Sequence, residues 1–167
     1  EGKPSDGLII RQNEGRYTVF ADNWASRARN WFPSVDHPSD KARFHVTVHT
    51  ADPYTVIANG IKVGESGLNG KKSFVYHMDQ PIPTYCMVIG LAKMSIAGDR
   101  TKGGITLFYY TYPEDSAFAR ESFKRVADMV HFYDSLIGKY PYDRLSLVQS
   151  STRFGGMENS SAIFLAD

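Results

Sequence analysis

Cysteine is almost missing from this 167-residue chain: Cys86 stands alone, which excludes an internal disulfide framework. Its setting, Tyr85-Cys86-Met87-Val88-Ile89, reads as a buried, inert thiol rather than a nucleophile. An excess of charge of one sign is missing too. Nineteen Lys and Arg against 18 Asp and Glu leave a net charge of +1, which gives no footprint for nucleic acid or an anionic membrane. No apolar run approaches the roughly 20 residues that span a bilayer. The chain opens on Glu1 with no signal-peptide pattern and reads as a mature, processed or excised segment. The patterns G-x-x-x-x-G-K-[ST], G-x-G-x-x-G and G-x-S-x-G are absent, and Gly103-Gly104 is more simply a turn. The compartment stays open between cytoplasm and periplasm or secretion.

What the chain does have is aromatic side chains, ten Tyr, ten Phe and two Trp, which favour β-sheet cores. Leu8-Ile9-Ile10 and residues 17–21, 42–50, 54–59, 73–78, 87–94 and 105–110 form β-rich runs between Gly, Pro, Asn and Asp clusters. Asn59-Gly60, between Val56-Ile57-Ala58 and Ile61-Lys62-Val63, signals a type I′ hairpin. In Phe44-His45-Val46-Thr47-Val48-His49 apolar and polar residues alternate, so one strand face is buried and the other wet. Many short strands without helices between them predict a sandwich or a curved, saddle-like sheet.

Near residue 112 the period changes. Asp115 or Ser116 can cap a helix. Ala119, Phe123, Val126, Val130, Tyr133 and Ile137 then form one apolar stripe, with Gly138 and Pro141 stopping it. Residues 145–149 and 162–165 read as strands after it. The expected class is mainly β, α+β overall. Residues 1–107 form a β domain, and 108–167 open an α/β unit too short to bury its own core.

Most candidate sites reduce to ordinary structure. His45 and His49 have H-x-x-x-H spacing, which binds zinc on a helix. On a strand rising ~3.3 Å per residue they lie ~13 Å apart and cannot share an ion. His37 reads as a turn residue, and His77 and His131 have no partner at useful spacing. Asp36, Asp40 and Lys41 belong to a proline-bounded loop pinned by local hydrogen bonds.

The string Gly155-Gly156-Met157-Glu158-Asn159 carries more. It lies between two predicted strands. The glycines leave main chain uncovered, the edge offers strand addition, and the Glu158 carboxylate offers a charge-assisted partner for a peptide's terminal ammonium. A turn with a solvated Glu is the plainer alternative.

At these residues the chain resembles the aminopeptidase N family of zinc metallopeptidases (gluzincins), whose hallmark G-x-M-E-N is matched by Gly155–Asn159. The likeness extends further. Arg29-Asn30-Trp31-Phe32-Pro33-Ser34-Val35-Asp36-His37-Pro38 through Lys41-Ala42-Arg43-Phe44 resembles A-R-x-x-F-P-x-x-D-x-P-x-x-K-A-x-F. Ala58-Asn59-Gly60 resembles S-N-G, and Pro83-Thr84-Tyr85 resembles S-T-Y. Tyr133, Gly138, Tyr140, Pro141 and Tyr142 fit F-Y-E-x-x-F-G-x-Y-P-Y.

The resemblance implies a β-saddle domain followed by the start of a thermolysin-like catalytic domain, cut before its zinc-binding helix. It implies that Glu158 anchors the free amine of a peptide substrate and that Gly155, Gly156 and Met157 cradle its backbone, while Asn159 braces the loop. Zinc ligands are expected downstream of Asp167, so the segment alone lacks the metal and the general base. It needs the rest of its catalytic domain as partner. Eight residues before Phe32, where the family places a second acid or Gln, this chain has Trp24. Asp22 or Asn23 nearby is the substitute the resemblance allows, and the role is assigned to Asp22. The alternatives are a metal-less homologue serving as scaffold or binding module, and a β unit acting alone in adhesion or carbohydrate binding.

Overall fold

The computed structural model describes residues 6–13 and 15–167. It is mainly β, with three sheets and a pair of helices stacked in layers. The central layer is a four-stranded sheet in the order β1-β2-β7-β4, formed by β1 (Leu8–Asn13), β2 (Arg16–Ala21), β4 (Thr55–Ala58) and β7 (Ile89–Ala92). One face packs on a three-stranded sheet of β3 (Lys41–Ala51), β6 (Lys71–Pro83) and β5 (Ile61–Leu68), through Val56, Ala58, Phe74 and Tyr76. The other face packs on a five-stranded sheet through Phe20, Ile57, Val88, Tyr110, Val148 and Phe164. Burial on both faces explains why β4 is an uninterrupted apolar run, Val56-Ile57-Ala58, instead of an alternating one.

The five-stranded sheet has the order β11-β12-β10-β9-β8. Its members are β8 (Ser95–Arg100), β9 (Thr106–Thr111), β10 (Arg144–Ser150), β11 (Gly156–Met157) and β12 (Ala162–Ala166). β10 runs parallel to both β9 and β12, whereas β8 and β11 are antiparallel to their neighbours. Helices α1 (Ser116–Phe123) and α2 (Val126–Ile137) make the crossover from β9 to β10, as parallel pairing requires. The division expected at residue 107 thus falls inside β9, and β8 and β9 belong to the same sheet as β10–β12.

Three details differ from the sequence reading. First, β4 and β5 do not form a hairpin. β4 pairs with β7 and β5 with β6, so Asn59-Gly60 turns a corner between two sheets. The local turn signal yields to tertiary hydrogen bonds that the Asn59 side chain makes. Second, β8 and most of β5 are added strands, both polar or glycine-bearing and largely exposed. Third, the helical stripe is broken at Lys124 and Arg125 into two helices. Val126 and Val130 dock on Leu107, Tyr109 and Leu145. Tyr133 and Ile137 stay exposed, and they line, with Val126, Val130, Leu147 and Ile163, an open apolar groove of 490 Å³. Gly138, at φ 109°, ends α2 as expected. No helix of the described residues is long and apolar enough to cross a membrane.

Gly60 is a strict requirement of the corner. Its φ is +75°, and an added Cβ would overlap the His77 carbonyl and lie 2.8 Å from the Met78 Cα. Backbone strain and overpacking together predict that Gly60→Ala destabilises the protein by about 2–5 kcal/mol. A urea unfolding midpoint unchanged from wild type would contradict this.

Candidate functional site

The Gly155–Asn159 string sits at the rim of the five-stranded sheet. Gly156 pairs with Leu165 and Met157 with Phe164, and the Ala166 amide donates to the Gly155 carbonyl at 2.9 Å. β11 is therefore the edge strand, paired on one side only. Gly155 and Gly156 are exposed. At φ +24° Gly155 is in a region side chains disfavour. At Gly156 a Cβ would press on Leu165 at 3.3 Å, so both glycines have a structural reason as well as leaving main chain bare.

Glu158 follows the edge strand and is exposed. No ion pair engages it among the described residues. It lines none of the four cavities around Arg16, Gly60, Tyr140 and His49. Asn159 points inward: it is buried, its amide donates to the Met157 carbonyl at 3.3 Å, and its Oδ1 has no partner.

The loop after Glu158 is fixed from beneath by Asn59, which is fully buried. Its amide nitrogen donates to the Ser160 carbonyl at 2.6 Å and to the Cys86 carbonyl at 2.8 Å, while its Oδ1 accepts from the Val88 amide at 2.6 Å. The Gly60 amide donates to the Ser161 hydroxyl at 2.7 Å, and the Tyr142 hydroxyl donates to the Ser160 hydroxyl at 3.1 Å. The 3-10 turn Thr84–Cys86 is thereby held against the Glu158 loop.

A second buried asparagine, Asn23, ties the β2 exit to the same turn. Its amide donates to the Met87 carbonyl at 2.5 Å and more weakly to Thr84 at 3.5 Å, and its Oδ1 accepts from the Trp31 indole at 2.7 Å. Asp36 is the third tie. It accepts from the Thr84 hydroxyl at 3.1 Å and from the Arg29 amide at 3.2 Å, the structural role its loop composition predicted.

Asp22 lies close to this region, but its carboxylate is used internally. It is 2% exposed, pairs with Arg27 at 2.5 Å and accepts from the Arg153 amide at 3.5 Å. The carboxylate is buried, with one oxygen paired to Arg27 and the other in a long contact to Arg153, and it braces the β2 exit against the segment before Gly155. Trp24 is the outward-facing residue there, 52% exposed. Its ring meets Tyr85 edge to face with centroids 5.9 Å apart. The Tyr85 hydroxyl is pushed up from its ordinary pKa, first by the adjoining Cys86, then by burial and by the nearby Glu158 and Tyr142.

The histidines take no part. His45 stacks on His77 across β3 and β6 at 4.2 Å and bonds Asp79 at 2.7 Å, His49 bonds Ser73, and His37 bonds Ser39 within its turn. The His45–His77 pair was invisible to spacing because it depends on strand register. Among the described residues no three His, Cys, Asp or Glu side chains gather as a metal site. The residues present do not fit a zinc centre.

Comparison with known proteins adds a family context. Residues 7–86 match the Peptidase M1 N-terminal domain. The chain is 28% identical over 170 residues to a leucyl aminopeptidase of Saccharolobus solfataricus, covering 98% of this chain and 21% of that protein. It is 29% identical over 171 residues to a probable aminopeptidase 2 of Sulfurisphaera tokodaii, covering 98% and 22%. It is 26% identical over 152 residues to aminopeptidase B of Rattus norvegicus, covering 88% and 22%. The chain spans about a fifth of the length of these curated relatives.

Proposed function

We propose, since this chain carries a Peptidase M1 N-terminal domain at residues 7–86, that it supplies the amine-recognising part of a zinc-dependent aminopeptidase. The observation that carries the reading is the one-sided strand β11, with bare glycine main chain and an unengaged carboxylate at its end. A peptide can extend the sheet at that edge, and its terminal ammonium can meet Glu158 in a charge-assisted hydrogen bond. Gly155, Gly156 and Met157 are the backbone cradle in this reading, and Asn159 holds the loop from behind. The aminopeptidase names of the relatives support the substrate class.

The metal chemistry belongs to residues outside this chain. What these residues contribute is register: a carboxylate at a fixed distance from the sheet edge admits chain ends and rejects chain interiors. The full-length protein is expected to hydrolyse leucine p-nitroanilide and not its N-acetyl counterpart, and to lose the activity on chelation and regain it with zinc. Comparable rates on both substrates would remove the amine anchor. Absence of any hydrolysis would favour the metal-less scaffold.

A further inference from the structure

The carboxyl ends of the three parallel strands open onto one cavity. β9, β10 and β12 run on into Tyr112, Ser151 and Asp167, and these residues line a space of 880 Å³ together with Arg16 and Thr18 of β2. Parallel sheets take their ligands at this end, and the volume lies within the roughly 300–1,000 Å³ of small-molecule sites.

Strand register supplies the polar groups. Arg16 and Thr18 are two apart on β2, so they share the face on which Phe20 packs against the five-stranded sheet. Arg11 lies directly opposite Thr18 across the β1–β2 pair, on that same face. Lys93 follows β7, the next strand over. Arg11 and Lys93 line the cavity too. Thr18 is 3% exposed and Ser151 2%, and neither hydroxyl has a hydrogen-bond partner among the described residues. Two buried, unpartnered hydroxyls on one cavity call for a ligand or ordered water.

The charges select the ligand. Three cations line the cavity against two carboxylates. Arg16 is committed: it pairs with Glu114 and covers the Tyr112 ring at 4.1 Å. Arg11 and Lys93 are exposed and have no ion pair among the described residues. Two free cations and two free hydroxyls match a group of charge near −2 with three acceptor oxygens, which is a phosphate. A carboxylate, with one charge and two oxygens, leaves a cation over.

We propose that this cavity binds a phosphate group, free or on a small organic molecule, held by the Arg11 guanidinium, the Lys93 ammonium and the hydroxyls of Thr18 and Ser151. Asp167 opposes it as the one carboxylate left. The site does not rest on the reading of Glu158, which does not line this cavity.

Titration calorimetry on the full-length protein tests the site, with inorganic phosphate and AMP as probes. Lys93→Ala is expected to raise the dissociation constant for phosphate about 3- to 10-fold. Thr18→Val, which removes the hydroxyl and keeps the volume, is expected to raise it about 10- to 100-fold. Asp167→Asn, which removes the opposing charge, is expected to lower it about 2- to 5-fold. Lys93 and Asp167 are exposed, so their variants are expected to keep the wild-type melting temperature, and they decide the matter if Thr18→Val does not fold. AMP binding more tightly than inorganic phosphate assigns the site to an organic phosphate, and AMP binding no more tightly assigns it to the free ion. Absence of binding by both probes at millimolar concentration overturns the site. So does a shift of affinity in the same direction, or none at all, in Lys93→Ala and Asp167→Asn.

Discussion

Glu158→Ala in the full-length protein is expected to lower kcat/KM on an amino-acid p-nitroanilide by roughly 30- to several-thousand-fold. Removing one partner of a hydrogen-bonded charge pair costs about 2–5 kcal/mol, and each ~1.4 kcal/mol is a decade in rate. Where the effect falls in that range depends on water. Glu158 is exposed in this chain, and screening in water favours the lower limit, whereas a dry site in the complete protein moves it upward. Glu158→Gln separates the contributions, since it keeps an acceptor and removes the charge. The loss should be confined to substrates with a free amine. Activity of Glu158→Ala within about threefold of wild type would sink the assignment, because even an exposed ion pair of about 1 kcal/mol gives more than that.

Asn59→Ala is expected to cost about 3–6 kcal/mol of folding stability, measured as a shift of the urea midpoint. The substitution orphans the Cys86 and Ser160 carbonyls and the Val88 amide together, each a buried group worth about 1–3 kcal/mol when left unpaired. Whole domains are stable by only about 5–15 kcal/mol, so the loss is a large fraction. It should also weaken catalysis, because Ser160 follows the anchor closely and loses its tether. A cost under about 1 kcal/mol would mean that water fills the space and replaces the amide.

Much of the architecture was legible because the pattern was local. β3 announced itself by alternation and β4 by its apolar run, and the Gly138 cap follows from needing φ above zero. The failures share one cause. Asn59-Gly60 carries the sequence of a two-residue hairpin, yet its side chain is drawn to carbonyls 27 and 101 residues away. Asp22 looked available from its type and position, but Arg27 five residues later claims it. Asn23, the neighbouring polar residue, is fully buried in the fold and bonded to Met87 and Trp31. Tyr133 and Ile137 kept the helical period of the docked stripe, but nothing in the period tells which turns meet the sheet. The Gly155–Asn159 string was readable as an edge between two strands, whereas the turn packed beneath it was not. Its three ties come from Asn23, Asp36 and Asn59, which no spacing rule connects.

The Asn59 knot also sets a schedule for biosynthesis. Its β-domain half is translated early, but the Ser160 carbonyl it holds lies 101 residues later. At about 5–20 residues per second the ribosome needs roughly 5–20 s to deliver that partner. Until then the Asn59 amide can hold the Cys86 carbonyl but not Ser160, and the corner between β4 and β5 is not yet tied to the Glu158 loop. The contacts beneath the Glu158 loop therefore close only after the β-domain scaffold that receives them has waited out that interval.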